Sequence, residues 1–113
     1  MKYKGSCHCK NIEFEVETNL EKIAQCNCSI CIRRNAKMIM VLKENFTLTK
    51  GESDLALYQF NSNVAKHYFC KKCGIYTHHN RKSDPNGMGV NLGCIEELDA
   101  NEYEPIAFDG RKI

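Results

Sequence analysis

A chain of 113 residues makes one domain with a modest core, so additional cross-links would help to stabilise it. Hydrophobic residues make up 42% of the chain and charged residues 27%, which excludes a disordered protein. The formal net charge is only +2, and the 16 lysines and arginines are scattered, which argues against a nucleic acid partner. Because no stretch has the character of a membrane span or a signal peptide, we expect a cytoplasmic protein without a membrane partner.

The hydrophobic pattern predicts a mainly β fold. In residues 11–17 the apolar side chains Ile12, Phe14 and Val16 alternate with glutamates, which indicates a half-buried strand. Residues 38–42 are continuously apolar and indicate a strand buried on both faces. Further strands are predicted at 46–50, 55–60, 65–70 and 89–95, turns at 61–63 and 83–87, and helical turns at 29–37 and 96–102. These elements indicate antiparallel hairpins in a single domain over residues 1–113.

The chain has eight cysteines, a high density that favours either disulfides or metal. Disulfides are typical of secreted domains, whereas a cytoplasmic chain of this kind is more often a metal protein. The absence of a recognisable signal peptide therefore favours metal.

Two cysteine pairs together form a complete set of zinc ligands. Cys7 and Cys9 lie two residues apart, and on a strand both thiols would point the same way. Cys70 and Cys73 belong to the motif CKKCG, in which a turn can aim both sulfurs at one ion. Four thiolates are a typical structural zinc set, and such an ion would add folding free energy. We favour this interpretation over a redox dithiol at CKKC, which normally opens a helix, and over buried free thiols at the first pair.

The second set, CNCSIC, supplies Cys26, Cys28 and Cys31. Three ligands leave one coordination position of a zinc ion open for water or substrate. Three thiolates also give the unit a charge of −1, which suits the binding of an incoming thiol better than the polarisation of a carbonyl group. We therefore expect two zinc ions per chain, with Cys26, Cys28 and Cys31 as the catalytic residues.

Several residues around the second set have open roles. Cys94 lies in an alternating apolar stretch, so a buried thiol is favoured over a fourth ligand. His8, His67, His78 and His79 are other candidates for a metal ligand, although His8 should point away from the ligands beside it and a lone histidine is more often structural. Arg33 and Arg34 closely follow the cluster and would bind the carboxylate of an anionic thiol, unless they belong to a solvated surface.

Five segments resemble, in order and spacing, the family of glutathione-dependent formaldehyde-activating enzymes and centromere protein V. They are GSCHCK at 5–10, CNCSIC at 26–31, HYFCKKCGIY at 67–76, RKSDPNGMGVNLGCIE at 81–96 and FDGR at 108–111. The resemblance spans nearly the whole chain, and its combination of CxC, CxCxxC and CxxCG is specific. It implies a β-tent, in which twisted antiparallel sheets are pinned by zinc and little helix is present.

The resemblance also implies the two ligand sets and an activity. For the structural zinc it implies Cys7, Cys9, Cys70 and Cys73, and for the catalytic-type zinc it implies Cys26, Cys28 and Cys31. The implied reaction is the addition of the thiol of glutathione to formaldehyde, which gives S-hydroxymethylglutathione and is classed as a carbon–sulfur lyase reaction.

The chain departs from the family pattern at three positions. Lys10 stands where the family usually has glycine, Asn35 stands where a glycine often follows the second cluster, and Ile113 stands where tryptophan is frequent. Asparagine tolerates a left-handed backbone, so that change is mild. The chain is also shorter than the formaldehyde-activating members, which indicates that segments closing over glutathione are missing. Metal binding therefore transfers from the family more directly than substrate identity does.

We favour an enzyme that adds glutathione, or a related thiol, to formaldehyde or another small aldehyde. The alternatives are a zinc-stabilised binding module without catalytic activity, and a zinc or redox sensor. A small thiol is the expected partner. Exposed edges of small sheets can also pair, which would give a homodimer.

Overall fold

The structure is a computed structural model that describes residues 1–60, 65–81 and 86–110. Its strands are β1 (Lys2–Ser6), β2 (Glu13–Glu17), β3 (Ile23–Cys26), β4 (Met38–Leu42), β5 (Phe46–Lys50), β6 (Leu55–Tyr58), β7 (Lys66–Cys70), β8 (Tyr76–Asn80), β9 (Gly87–Asn91) and β10 (Ile106–Phe108). One short α-helix, α1 (Ser29–Arg34), and four single turns of 3-10 helix complete the described regular structure.

The strands form two sheets. The smaller sheet has the order β1-β2-β5, and the larger one has the order β10-β3-β4-β9-β8-β7-β6. All pairs are antiparallel except β10 with β3, which is parallel. The predicted mainly β fold with little helix is thus confirmed, and the one parallel pair is an addition to it. In the described part of the chain, no helix is long and apolar enough to cross a membrane.

The main core lies between the two sheets. Phe14 and Val16 of β2 belong to the same buried cluster as Ile39 of β4 and Val90 of β9. All four side chains are at most 1% exposed, and complete burial of one such side chain contributes roughly 1.5–3 kcal/mol. The alternation predicted for residues 11–17 is therefore confirmed, because only its apolar face is fully buried.

Two predicted strands differ from the structure. In β4 only Met38 and Ile39 are buried, and Leu42 is 46% exposed, so burial on both faces is confined to the start of that strand. The strand predicted at 89–95 ends at Asn91, whose side chain accepts a hydrogen bond from the Gly93 N–H and begins a 3-10 turn. The turn predicted at 61–63, most of that at 83–87, and position 113 lie outside the described residues.

The helix α1 occupies the first part of the helical turn predicted at 29–37. Its N-cap is Cys28, whose sulfur accepts a hydrogen bond from the Cys31 N–H, and its C-cap is Asn35 in the left-handed conformation. The second predicted turn, at 96–102, is reduced to one 3-10 turn over Ala100–Glu102. The start of α1 follows directly on the end of β3, and this junction carries the second cysteine set.

Candidate metal centres and the adjoining cavity

The first cysteine set, Cys7, Cys9, Cys70 and Cys73, converges in the structure. Its four sulfur atoms all lie within 4.8 Å of one another. Two of the separations, Cys7–Cys9 and Cys9–Cys70, are 3.7 Å. Zinc–sulfur bonds of about 2.3 Å place the corners of a tetrahedron roughly 3.8 Å apart, whereas a disulfide needs about 2.05 Å. The four residues therefore fit one tetrahedral zinc ion.

Turns, and not strand alternation, align the first set. β1 ends at Ser6, so Cys7 and Cys9 lie in the turn before β2, and the expectation that they share a strand face is wrong. Cys70 ends β7, and Gly74, with a φ of 79°, closes the following turn by donating its N–H to the Cys70 carbonyl at 2.9 Å. Tetrahedral convergence needs sulfurs from different directions, which two turns supply more readily than one flat strand.

Backbone donors surround these sulfurs. The N–H groups of Ile12 and Lys72 donate to Cys7 and Cys70, each at 3.3 Å. Burial raises the pKa of Cys73, but hydrogen bonds from the backbone of Cys9 and Ile75 prevail and lower it to about 6. Such donors favour thiolate over thiol, which is the form that binds metal.

The second set, Cys26, Cys28 and Cys31, also converges, with its three sulfur atoms within 4.8 Å of one another. The Cys28 N–H donates to Cys26 at 3.4 Å, and the Cys31 N–H donates to Cys28 at 3.5 Å. No histidine or carboxylate of the described residues joins this group. The site thus offers three thiols to a metal ion, and the described residues leave one side open.

The three thiols of the second set differ in their ease of ionisation. Burial raises the pKa of Cys26 and of Cys31. Burial acts in the same direction on Cys28, but hydrogen bonds from the Cys31 backbone and from the neighbouring thiols outweigh it and lower the pKa. Cys28 is therefore the thiol of this set that ionises most readily.

A cavity of about 240 Å³ opens beside the second set, and all three cysteines line it. The rest of its lining has an apolar and a polar part. The apolar part includes Ala24, Met38, Met40, Phe60 and Phe108. The polar part includes Ser29, Arg34, His67, Tyr76, His79 and Arg81. No described residue of the lining is acidic.

Four of these polar residues, Arg34, His67, Tyr76 and His79, contact one another and are called the polar wall below. The Arg34 guanidinium carbon lies 3.6 Å from the centre of the Tyr76 ring, and Nη1 lies 2.9 Å from Nδ1 of His67. The Tyr76 hydroxyl is hydrogen-bonded to Nδ1 of His79, and the two imidazole rings stack at 5.5 Å. Arg34 follows Cys31 by three residues on α1, so the helix presents the cation and the ligand on one face.

Both histidines of the polar wall are neutral at pH 7. Burial, with the nearby Arg34 cation, lowers the pKa of His67 to about 4. The same causes, together with other neighbouring charges, lower the pKa of His79 to about 3. The polar wall therefore has one fixed positive charge, that of Arg34.

Two pairs of adjacent residues were candidates for the site, and in each pair only one residue lines the cavity. Arg34 lines the cavity, whereas Arg33 is exposed and donates from Nη1 to the Ser29 carbonyl at 2.6 Å. His79 lines the cavity, whereas His78 faces the core. Cys94 is 5% exposed within the hydrophobic core, and its thiol donates to the Tyr76 carbonyl at 3.6 Å, in agreement with the buried-thiol interpretation.

Sequence reasoning missed several residues of the site. Tyr76 and Arg81 line the cavity, and no role was predicted for either from the sequence. Gly110 lies against the second set, where a Cβ atom would come within 2.4 Å of the Cys26 sulfur and 2.8 Å of the Cys28 Cβ. The segment FDGR contains Gly110, but only the fold places this glycine beside Cys26.

Comparisons with known proteins identify the family of the chain. Residues 2–109 match the model of a family described as glutathione-dependent formaldehyde-activating enzyme. A solved structure, the crystal structure of a Rhodobacter sphaeroides protein, is 39% identical in sequence, with a TM-score of 0.87. That similarity covers 92% of this chain and 97% of the other. The protein therefore belongs to the family of glutathione-dependent formaldehyde-activating enzymes.

Proposed function

We propose that the protein is a zinc-dependent carbon–sulfur lyase that adds the thiol of glutathione, or of a related small molecule, to formaldehyde or another small aldehyde. The observation that carries this proposal is the second cysteine set, in which three convergent thiols open onto a cavity. A closed set of four thiols would leave no position for a substrate, whereas three leave one.

Each cysteine set has a separate role in this proposal. Cys7, Cys9, Cys70 and Cys73 would hold a structural zinc ion, and Cys26, Cys28 and Cys31 would hold a second one. Zinc at the second set would lower the pKa of an incoming thiol and so supply a reactive thiolate at neutral pH.

The reaction is an addition without oxidation or reduction. The substrate sulfur loses its proton and attacks the carbonyl carbon, a carbon–sulfur bond forms, and the π electrons of the carbonyl group move to its oxygen. That oxygen then takes up a proton, and the product is a hydroxymethyl thioether. Arg34 would orient the substrate and stabilise its negative charge, because its guanidinium reaches the cavity beside Cys31.

Exchange spectroscopy by NMR tests this function. Catalytic amounts of the zinc-loaded protein should accelerate the exchange between free formaldehyde and its glutathione adduct. Cys28→Ser should abolish the acceleration, since it removes one ligand of the second set. Cys94→Ala, which removes a buried thiol outside both sets, should retain the activity. Equal rates with the wild-type protein and with Cys28→Ser would reject the proposal and favour a binding module or a sensor.

We further propose a reducing compartment such as the cytoplasm. All eight cysteines are free in the structure, and oxidation of either set would remove the thiolates that a metal needs.

A further inference from the structure

The cavity beside the second cysteine set is lined by two arginines, and no described residue of its lining is acidic. Arg34 and Arg81 are both half-buried, so a ligand in the cavity can reach either side chain. Neither arginine takes part in an ion pair between described residues. A cation that is partly withdrawn from water and lacks a counterion is unfavourable, so each arginine would be stabilised by an anionic ligand.

Arg34 is held in place next to the cysteines. It follows Cys31 by three residues on α1, and its guanidinium carbon lies 3.6 Å from the centre of the Tyr76 ring. Nη1 lies 2.9 Å from Nδ1 of His67. That contact uses one of the five N–H groups of the guanidinium, so donors remain for a ligand. Because the group is positioned before a ligand arrives, the entropic cost of binding is lower.

Arg81 reaches the cavity from a different element, the end of β8. Its backbone N–H donates to the Gly87 carbonyl at 3.1 Å, which extends the pairing of β8 with β9 by one residue. On a paired strand, residues two apart face the same side, so Arg81 follows His79 along the cavity. Burial lowers the pKa of His79, and the charges of Arg34 and Arg81 lower it further, so both cations lie near this ring.

Two cations on different elements match a thiol that has two carboxylates. Glutathione has one carboxylate on its glycyl residue and one on its glutamyl residue, and the cysteinyl thiol lies between them. A guanidinium group binds a carboxylate through two parallel hydrogen bonds, which gives both strength and orientation. A thiol with a single carboxylate would leave one of the two arginines without a counterion.

We propose that Arg34 and Arg81 bind the two carboxylates of glutathione, one carboxylate at each guanidinium, while the thiol binds at the second cysteine set. Arg81 is then a specificity-determining residue for the tripeptide, in addition to Arg34. This arrangement, called the carboxylate clamp below, favours glutathione over thiols with one carboxylate or none. The inference rests on the proposed function, since it takes the second set as the thiol site.

Calorimetric titration of the zinc-loaded full chain tests the carboxylate clamp. The ligands are glutathione and its two monoamides, in which either the glycyl or the glutamyl carboxylate is replaced by a neutral carboxamide of the same shape. We expect each monoamide to bind about tenfold more weakly than glutathione to the wild-type protein. Arg34→Met should no longer distinguish glutathione from one of the monoamides, and Arg81→Met should no longer distinguish it from the other.

Arg33→Met is the matched control. It removes the same charge from an exposed residue of α1 that does not line the cavity, so the preference for glutathione over both monoamides should remain. An equal loss of preference in this variant would show a general charge effect and reject the clamp. The zinc content of each variant is measured first. Arg34→Lys and Arg81→Lys, which keep the charge without the planar fork, should each retain only part of the preference.

The outcomes distinguish the clamp from the proposed function. Equal affinity of the wild-type protein for glutathione and both monoamides, with formaldehyde exchange still accelerated, would overturn the clamp alone. Failure of all three ligands to bind would overturn both. An unchanged preference in Arg81→Met would reject the clamp, and so would sensitivity of both arginine variants to the same carboxylate, because both cations would then serve one end of the ligand.

Discussion

Two non-glycine residues close to the cysteine sets have a left-handed backbone. Lys10 has a φ of 65° and Asn35 a φ of 51°. In this region the Cβ atom crowds the following carbonyl oxygen, which asparagine tolerates better than lysine does. The expectation for Asn35 is therefore confirmed, and Lys10 retains a local strain in the turn that follows Cys7 and Cys9.

Lys10→Gly should stabilise the protein. Relief of the left-handed strain is worth about 1 kcal/mol, and the ion pair that would be lost, Lys10–Glu96 at 2.9 Å, is exposed on both sides and worth little. Urea unfolding at saturating zinc measures the change. Asn35→Gly is the matched control and should give a smaller gain. A lower stability of Lys10→Gly would contradict the strain argument.

The burial of His78 predicts that the stability of the protein depends on pH. The ring is 4% exposed, lies between Tyr68 and Phe46 at 4.7 and 4.4 Å, and has its pKa lowered by burial from 6.5 to about 4. Because the folded pKa is below the unfolded one, the stability from the neutral ring is complete above pH 6.5. It is lost as the pH falls from 6.5 towards 4, where the unfolded chain binds a proton that the folded chain excludes.

The free energy of unfolding should fall by up to about 1.4 kcal/mol per pH unit between pH 6.5 and pH 4. His78→Phe keeps an aromatic ring but cannot bind a proton, so its stability should fall less over pH 7 to 5 than that of the wild-type protein. Denaturant titrations of both proteins at saturating zinc measure this difference. Parallel pH profiles would show that His78 does not contribute.

At the scale of elements, a β-bulge assembles the polar wall. Tyr76 and His79 are three residues apart, so a regular strand would place them on opposite faces. In β8 the pairing with β7 shifts: His78 pairs with Tyr68, but Tyr76 pairs with Phe69, so Thr77 has no partner of its own. The extra residue turns Tyr76 to the same side as His79, and both line the cavity.

The parallel pairing of β10 with β3 forms one side of the second cysteine set. It places the C-terminal part of the described chain beside Cys26 and Cys28, and the Asn27 N–H donates to the Phe108 carbonyl at 3.2 Å. Gly110 then lies so close to both cysteines that no side chain fits without movement.

Gly110→Ala should therefore weaken metal binding at the second set only. A methyl group would displace the Cys26 sulfur or β10, whereas the first set lies elsewhere in the fold. Zinc release to a chromogenic chelator should show one fast and one slow ion per chain in this variant. Gly93→Ala is the control, because its Cβ would meet no atom closer than 3.4 Å. An unchanged release rate in Gly110→Ala would contradict this role of β10.

At the scale of the whole molecule, the first cysteine set joins the two sheets. Cys7 and Cys9 follow β1 of the smaller sheet, whereas Cys70 ends β7 of the larger one and Cys73 lies in the turn after it. Structural zinc sites of this type bind with about 10–16 kcal/mol of apparent free energy, which is similar in size to the roughly 5–15 kcal/mol stability of a typical domain. Metal at this set and folding should therefore be inseparable.

Removal of one cysteine from each set tests whether folding requires the first set but not the second. Cys70→Ser should lose the cooperative thermal transition in circular dichroism. Cys31→Ser should lose one zinc ion by elemental analysis and remain folded, since only the open site is damaged. Wild-type protein should contain two zinc ions per chain. Unfolding of Cys31→Ser to the same extent would show that both ions are structural.

The sequence alone predicted what depends on neighbours along the chain. Spacing groups Cys26, Cys28 and Cys31, because six residues at a strand–helix junction can reach only one ion. Alternation identifies β2, because the apolar face of a half-buried strand has a period of two. The pairing of the CxC and CxxC motifs also followed from ligand counting, since each motif supplies half of a tetrahedral set.

Only the tertiary structure decided which other side chains meet these cysteines. His67 lies in β7, Tyr76 in β8 and Gly110 after β10, and the packing of these elements with α1 brings the three residues to one cavity. A bulge, a parallel strand pair and a helix face set those contacts, and none of these has a local sequence pattern that specifies its partner. Cysteines that share an ion within one motif are close in sequence, so their spacing predicts them. A cavity forms only when distant segments pack together in the folded chain, so the sequence pattern does not predict its lining.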